Sequence, residues 1–361
     1  MTSPNLKEKN ENREFDYLCV DKFISNIYSA RALATAFEIG LIDLLIQHKF
    51  TSFYSLMEQG IEIESRGMRL LINLLITNLV IENCDGILKL SDTFIHALEF
   101  RDLLELKIAL ANFAAHDFLD HFTDFVRRPD QFLRKIKFCR LFSYDRCFNY
   151  SKENEELTKR WMRITTTLTK YEAHACMKYH DFGQYQRILD IGGNSGEFVL
   201  QICRKYPGAV ATVFDLPLVC DIGQQHIQSE PEVNRISFIK GNALTDALPG
   251  GFDLITFKSM LHDWSEREAN QFITKASQSL APGGILLIFE RGPIEEGEAE
   301  LSYATIPILL FFHSFRSPTL YQEQCRRLGL QDIIIKKLYL DTPFFIVTAK
   351  KNLTPCKRLI N

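Results

Sequence analysis

Apolar residues in the first third of the chain recur at helical intervals. Phe23, Ile27, Ala30, Ala34 and Phe37 are spaced alternately by four and three, which predicts one helix face, and Gly40 suits the residue that ends it. A second amphipathic stretch runs from Arg66 to Leu75. Behind it, Val80–Asn83 and Ile87–Leu90 flank Cys84-Asp85-Gly86, the pattern of two short strands around an Asp-Gly turn. Helices followed by a hairpin give a winged-helix outline over residues 15–110. Such domains commonly read DNA, but the region that would enter a groove is not strongly basic, so packing against a second copy is the better expectation. A homodimer is therefore expected. A helix-rich bridge, dense in Phe and Leu, follows from about Arg101 to His180.

From Arg187 the pattern changes. Apolar runs at Ile188–Ile191, Val210–Phe214, Ile236–Lys240, Phe252–Phe257 and Ile285–Phe289 read as strands. Helical segments at Glu197–Lys205, Pro217–Gln228, Glu266–Leu280 and Leu320–Leu328 alternate with them, and Asp332–Leu338 with Phe344–Thr348 read as a closing antiparallel pair. Continuous apolar strands alternating with helices predict a doubly wound α/β sheet covered on both faces. Residues 111–361 would then hold the bridge helices and this second domain.

Composition narrows the partners. A chain of 361 residues with 46% hydrophobic and 24% charged residues is ordinary two-domain globular material. A net charge of −3 gives no reason to expect nucleic acid or an anionic membrane. Residues 1–14 are polar with no apolar core, so they read as a disordered tail and not as a signal peptide. The richest apolar run, Ile306–Phe312, is about a third of a membrane span. Nine cysteines with no CxxC pair argue against a zinc site or a disulfide framework; no metal is expected. Cys176, Cys203 and Cys220 are expected reduced in apolar surroundings, which fits a cytoplasmic protein.

The sharpest local signal is Leu189-Asp190-Ile191-Gly192-Gly193-Asn194-Ser195-Gly196-Glu197. A strand ends near Asp190, and glycines turn the chain tightly into a helix whose free N–H groups suit a carboxylate. The rival is a dinucleotide fingerprint, but the spacing G-G-x-x-G lacks its second glycine, where Asn194 stands. An acidic residue at the end of the next strand, Asp215, would hold a ribose diol in either class. Asp190 tips the balance, because a carboxylate there repels a pyrophosphate and suits a zwitterionic amino acid bearing a sulfonium. A second constellation, Lys258-Ser259-Met260-Leu261-His262-Asp263-Trp264-Ser265, follows the strand ending at Phe257. Ser265 with Glu268 forms a capping box that would fix the start of the next helix. By itself, a lone histidine in such a turn is more often structural.

These motifs resemble the plant-type O-methyltransferases, the S-adenosylmethionine-dependent family that includes caffeate and hydroxyindole O-methyltransferases. The resemblance rests on Asp190-Ile191-Gly192-Gly193, Phe214-Asp215-Leu216-Pro217, Lys258 to Trp264 and Pro282-Gly283-Gly284. It implies a class I methyltransferase, Rossmann-like, with S-adenosylmethionine as cofactor. Gly192 and Gly193 would face the methionyl end and Asp215 the ribose hydroxyls, with Asp190, Leu216 and Lys258 completing the cofactor set. Asn242 and Ala243 fall where the family usually has Asp-Phe against the adenine, so charge and stacking are lost there. The family places its base in the HDW motif, which makes His262 the expected catalytic residue. Glu290, at the end of the strand Ile285–Phe289, would orient it; the alternative is a solvated strand end.

A phenol with pKa about 10 is mostly protonated at neutral pH, and a histidine of pKa about 6.5 accepts its proton as the new bond forms. Full prior transfer is uphill by about 5 kcal/mol, so a neighbouring positive charge has to help. Downstream the chain departs from the family, with Phe315 where a second glutamate is usual and only Arg316 retained. His313 either substitutes or lines the pocket. Met162 and Thr166 share a helical stripe where the family lines its acceptor site, or are bridge-helix core. Asp263 and Phe312 join them as expected acceptor contacts, with Ile308 and Leu309 on the opposite wall. The leading expectation is O-methylation of a small aromatic or conjugated hydroxyl compound. C- or N-methylation, or a reaction using the sulfonium only as charge, stands second, and a non-enzymatic regulator third.

Overall fold

The computed structural model describes residues 15–59, 63–295 and 301–353. The expected tail, residues 1–14, lies outside them. The chain forms two compact units, one of residues up to 138 together with 301–311, the other of the remainder. The division thus falls at Phe138, within the stretch read from the sequence as a bridge.

In the first unit the apolar stripe from Phe23 to Phe37 is carried by two helices, not one. A 3-10 helix, Asp16–Ile24, ends before Asn26, and an α-helix, Ile27–Glu38, begins after it. The break has a local cause: the Asn26 side chain accepts the Ser29 N–H at 2.9 Å, so it caps the second helix. Gly40 adopts φ 74° at the helix end, as expected of a terminating glycine. The helix Ser65–Thr77 lies in the chain between β1 (Thr51–Ser52) and the hairpin of β2 (Ile81–Cys84) and β3 (Ile87–Leu90), and the three strands form an antiparallel sheet in the order β1-β3-β2. Asp85 and Gly86 both have positive φ, 53° and 86°, the geometry that lets two residues close a hairpin. A long helix, Arg101–Arg127, completes the unit's frame.

The second unit is built on seven strands: β4 (Arg187–Ile191), β5 (Val210–Asp215), β6 (Ile236–Lys240), β7 (Phe252–Lys258), β8 (Leu280–Arg291), β9 (Gln331–Tyr339) and β10 (Pro343–Lys350). Their order is β6-β5-β4-β7-β8-β10-β9, parallel up to β8, with β10 antiparallel to both its neighbours. Alternate residues of each strand feed opposite cores. Ile188, Leu254, Leu287 and Phe289 pack with Ala173, Cys176, Phe198 and Ile202 of the helices Lys152–Tyr179 and Glu197–Lys205. Leu189, Ile255, Leu286 and Ile288 pack with Phe272, Ile273 and Tyr321 of the helices Glu266–Ser279 and Pro318–Arg327. Burial on both faces is why these strands read as unbroken apolar runs. Each fully buried Leu, Ile or Phe contributes roughly 1.5–3 kcal/mol. β8 begins five residues earlier than the pattern suggested, because the pairing jumps from Phe252↔Leu280 to Leu254↔Ile285 and carries Pro282-Gly283-Gly284 within the strand.

Candidate active site

The strand order reverses beside β4, whose neighbours are β5 and β7, and ligands of such sheets sit at the strands' carboxyl ends at this point. Register puts Asp190 opposite Thr256, whose hydroxyl donates to Asp190 Oδ1 at 2.6 Å. Asp190 Oδ2 is buried and has no hydrogen-bond partner among the described residues. Burial, only partly opposed by the Thr256 bond, pushes the carboxyl up to about 7. The chain then turns through Gly192, at φ 68°. A Cβ on Gly192 would meet Met260 Cγ at 2.7 Å, and one on Gly193 would meet Asp190 Oδ2 at 2.6 Å. Only glycines leave the space beside the orphaned oxygen open.

Asp215 ends β5. Its two oxygens accept the Asn194 and Leu216 N–H groups, both at 2.7 Å, while burial lifts its pKa to about 6. Each oxygen keeps a lone pair for a further donor. A buried acceptor without a donor at Asp190 and a carboxylate fixed by backbone at Asp215 fit a cation and a diol. Both groups occur in S-adenosylmethionine.

The other residues expected at the cofactor are placed as follows. Asn242 turns its side-chain oxygen to the Leu244 N–H at 3.0 Å, and the Ala243 carbonyl receives Lys275 Nζ at 2.6 Å. Lys258 lies in a buried ion cluster. Its ammonium meets Glu172 and donates to Thr169 Oγ1 at 2.9 Å, and Glu172 also takes Arg291 at 2.7 Å. Removing one member of such a cluster costs about 3–5 kcal/mol, since it strands a buried charge. Met162 is buried with Cys147, Trp161 and Leu218. Thr166 donates to Ser195 Oγ at 2.7 Å and Thr165 to Asn194 Oδ1 at 3.2 Å, so this helical stripe rests on the glycine turn. Phe312 is partly exposed and edge-on to the His313 ring.

His262 sits in a 3-10 turn, Leu261–Asp263, directly beyond β7. Lys258 pairs with Phe289 on β8, so Glu290 emerges beside that turn. It is 1% exposed, which removes the reading of a solvated strand end. Oε1 accepts the backbone N–H groups of Met260 (2.8 Å) and Leu261 (2.6 Å), and Oε2 lies 2.6 Å from His262 Nδ1. With Oε1 already taken, the carboxylate holds the Nδ1 proton and leaves Nε2 as the ring's lone-pair nitrogen. Nε2 is 3.5 Å from Asp263 Oδ1. Burial works against an imidazolium here, but Asp263 and then Glu290 outweigh it and lift the His262 pKa above its ordinary value. The capping box is present, with Ser265 and Glu268 each bonding the other's backbone N–H.

A sequence model of the O-methyltransferase domain matches residues 120–322, more than half the chain. The chain belongs to the O-methyltransferase domain family. It is a member of an S-adenosylmethionine-dependent methyltransferase family with the class I fold. Among relatives, it is 31% identical over 144 residues to a 3-hydroxy-5-methyl-1-naphthoate 3-O-methyltransferase of Streptomyces sahachiroi, covering 39% of this chain and 41% of that one. It is 29% identical over 191 residues to the acetylserotonin O-methyltransferase of Bos taurus, covering 51% and 53%. These alignments therefore span about half the length of the curated relatives. The crystal structure of human N-acetylserotonin methyltransferase in complex with SAM shares the fold at a TM-score of 0.70 and 19% identity, covering 98% of this chain and 100% of that one.

In this O-methyltransferase domain, the altered segment around Phe315 packs on the histidine. The Phe315 ring meets His262 edge-on, with centroids 5.6 Å apart. Arg316 donates to the carbonyls of Leu261 (2.7 Å) and Trp264, so it clamps both sides of the His262 turn. Several supporting residues carried no sequence signal of their own. Thr256, Thr169 and Glu172 sit mid-element among ordinary neighbours, and Tyr144, which donates to Asp263 Oδ2 at 2.5 Å, is 119 residues away from its partner. Among the described residues no cluster of metal ligands occurs, and no helix is long and apolar enough to cross a membrane.

Proposed function

We propose that this chain transfers a methyl group from S-adenosylmethionine to a hydroxyl of a small aromatic or conjugated acceptor, with His262 as general base. The observation that carries this reading is the hold of Glu290 on His262 Nδ1, which leaves Nε2 free to take a proton. When bound, the cofactor supplies an electrophilic methyl group on a positively charged sulfur. Asp190 would answer its cationic end, Asp215 its ribose hydroxyls, and Gly192 and Gly193 would let it approach the backbone. Leu216, Asn242, Ala243 and Lys258 belong to the same proposed shell, the last through the ion cluster that joins β7 to the Lys152–Tyr179 helix.

His262 Nε2 would accept the acceptor's hydroxyl proton as the C–O bond forms, and Glu290 would stabilise the resulting imidazolium. Asp263 Oδ1 offers a second acceptor beside the base, which suits a hydroxyl with a neighbouring donor. The relatives act, by their names, on a hydroxynaphthoate and on acetylserotonin, and a wall containing Met162, Thr166 and Phe312 fits acceptors of that kind. Phe315 in place of a second acid leaves the base with Glu290 and Asp263 as its carboxylates, the feature that would favour C- or N-methylation if hydroxyl acceptors failed.

The test is incubation with S-adenosylmethionine and a panel of aromatic hydroxyl compounds, read by mass spectrometry. Gain of one methyl by the wild type, and its loss in His262→Ala with calorimetric cofactor binding unchanged, is the expected result. Equal turnover by His262→Ala would remove the histidine from the mechanism.

A further inference from the structure

Between two short 3-10 turns, Phe138–Phe142 and Asp145–Phe148, stands a tyrosine that the reaction as described does not use. Tyr144 is half-buried and packed against two indole rings. Its ring stacks on Trp264 at 16° and 5.9 Å, and meets Trp161 edge-on at 5.4 Å. The turn behind it is tied by Arg146, whose guanidinium donates to the carbonyls of Leu141 (2.6 Å), Ser143 and Arg140 (3.2 Å) and to Thr158 Oγ1 (3.2 Å). Burial, and then the charge of Asp263, push the tyrosine's own pKa well up, so the hydroxyl keeps its proton and donates. Its acceptor, Asp263 Oδ2, belongs to the carboxylate whose other oxygen faces His262 Nε2.

We propose that Tyr144 is a positioning residue for the base, acting through Asp263: its hydroxyl fixes the carboxylate's orientation and keeps it ionised beside Nε2. This rests on the reading of His262 as the base. The groups that bear on the pair are few. Asp263 feels burial first, then His262, the Tyr144 bond, Glu290 and Arg316; His262 feels Asp263, Glu290 and Arg291. Burial favours the neutral acid at Asp263, and the Tyr144 hydroxyl opposes it. One proton shared by His262 and Asp263 must leave before Nε2 can accept another from the acceptor. With Asp263 ionised, that proton sits on the imidazole as a charged pair. With Asp263 neutral, its O–H is turned to Nε2 and occupies the lone pair the reaction needs. Tyr144 disfavours the second arrangement, because a hydrogen bond to the charged form favours that form.

The experiment is the pH profile of kcat/KM for Tyr144→Phe, which keeps the ring and removes the donor. Without the hydroxyl the shared proton binds more tightly, so the acid limb moves to higher pH by roughly one pH unit, with about a tenfold loss on that limb. Cofactor binding and the melting temperature stay near wild type, since the stack on Trp264 remains. In an Asp263→Asn background the same substitution leaves the limb where it is, because the hydroxyl's partner is gone. A profile that superposes on the wild type, or a loss equal at every pH, overturns the proposal. If His262→Ala retains turnover, the base assignment falls and this inference with it. If His262→Ala is inactive and the Tyr144→Phe limb does not move, only the role of Tyr144 falls.

Discussion

Asp190 carries a cost to the fold that its proposed role at the cofactor would explain. It is 1% exposed, has one oxygen hydrogen-bonded to Thr256 and the other without a partner among the described residues, and burial pushes its pKa up to about 7 from the ordinary 3.8. The sign follows directly. The unfolded chain gives up this proton near pH 4 and the folded chain holds it to about 7, so the protonated form stabilises the fold at low pH. That contribution is lost as pH rises through the interval between the two values. A cation seated beside Oδ2 needs the ionised form. Cofactor binding should therefore release a proton near pH 6 and be tighter at pH 8. Asp190→Asn should raise the melting temperature at pH 8 while weakening cofactor binding by at least tenfold, as expected where a strained charge is kept for function. Calorimetry in two buffers of different ionisation heat checks both; unchanged affinity in the variant would remove Asp190 from the site.

At the scale of elements, register does most of the positioning. Pairing Asp190 with Thr256 and Lys258 with Phe289 brings three strand ends to one edge, so that a glycine turn, a histidine turn and a glutamate meet. Much of this was legible beforehand, because strands buried on both faces give apolar runs that periodicity cannot miss, and a capping box marks a helix start within a residue. The break at Asn26 was not legible, since the apolar spacing continues through it and only the side-chain cap reveals it. Nor was the ion cluster at Lys258. Glu172 lies on a helix with no motif around it, and what it does depends on Arg291, 119 residues further on. The same distance separates Tyr144 from Asp263. Contacts of that span come from topology, which a local pattern does not encode.

At the scale of the whole molecule, one unit carries the seven-stranded sheet and the candidate site, and the other is mostly helical with exposed apolar side chains. Tyr28, Tyr54, Leu70 and Leu79 are each more than 60% exposed in the single chain. We propose that this unit is a winged-helix dimerisation domain, as the sequence outline suggested. Light scattering at micromolar concentration should give twice the chain mass; a monomer would end that proposal. The proposed chemistry, however, depends on one hydrogen bond. In it His262 would be a base only while Glu290 holds its Nδ1 proton, and the turnover number of Glu290→Gln tests this most directly. The Met260 and Leu261 N–H groups would keep the amide oxygen on their side and turn its NH2 toward Nδ1, which forces the ring proton onto Nε2. Turnover should fall by about 10²–10⁴-fold with cofactor affinity unchanged. Wild-type turnover in this variant would contradict His262 as a general base set by Glu290.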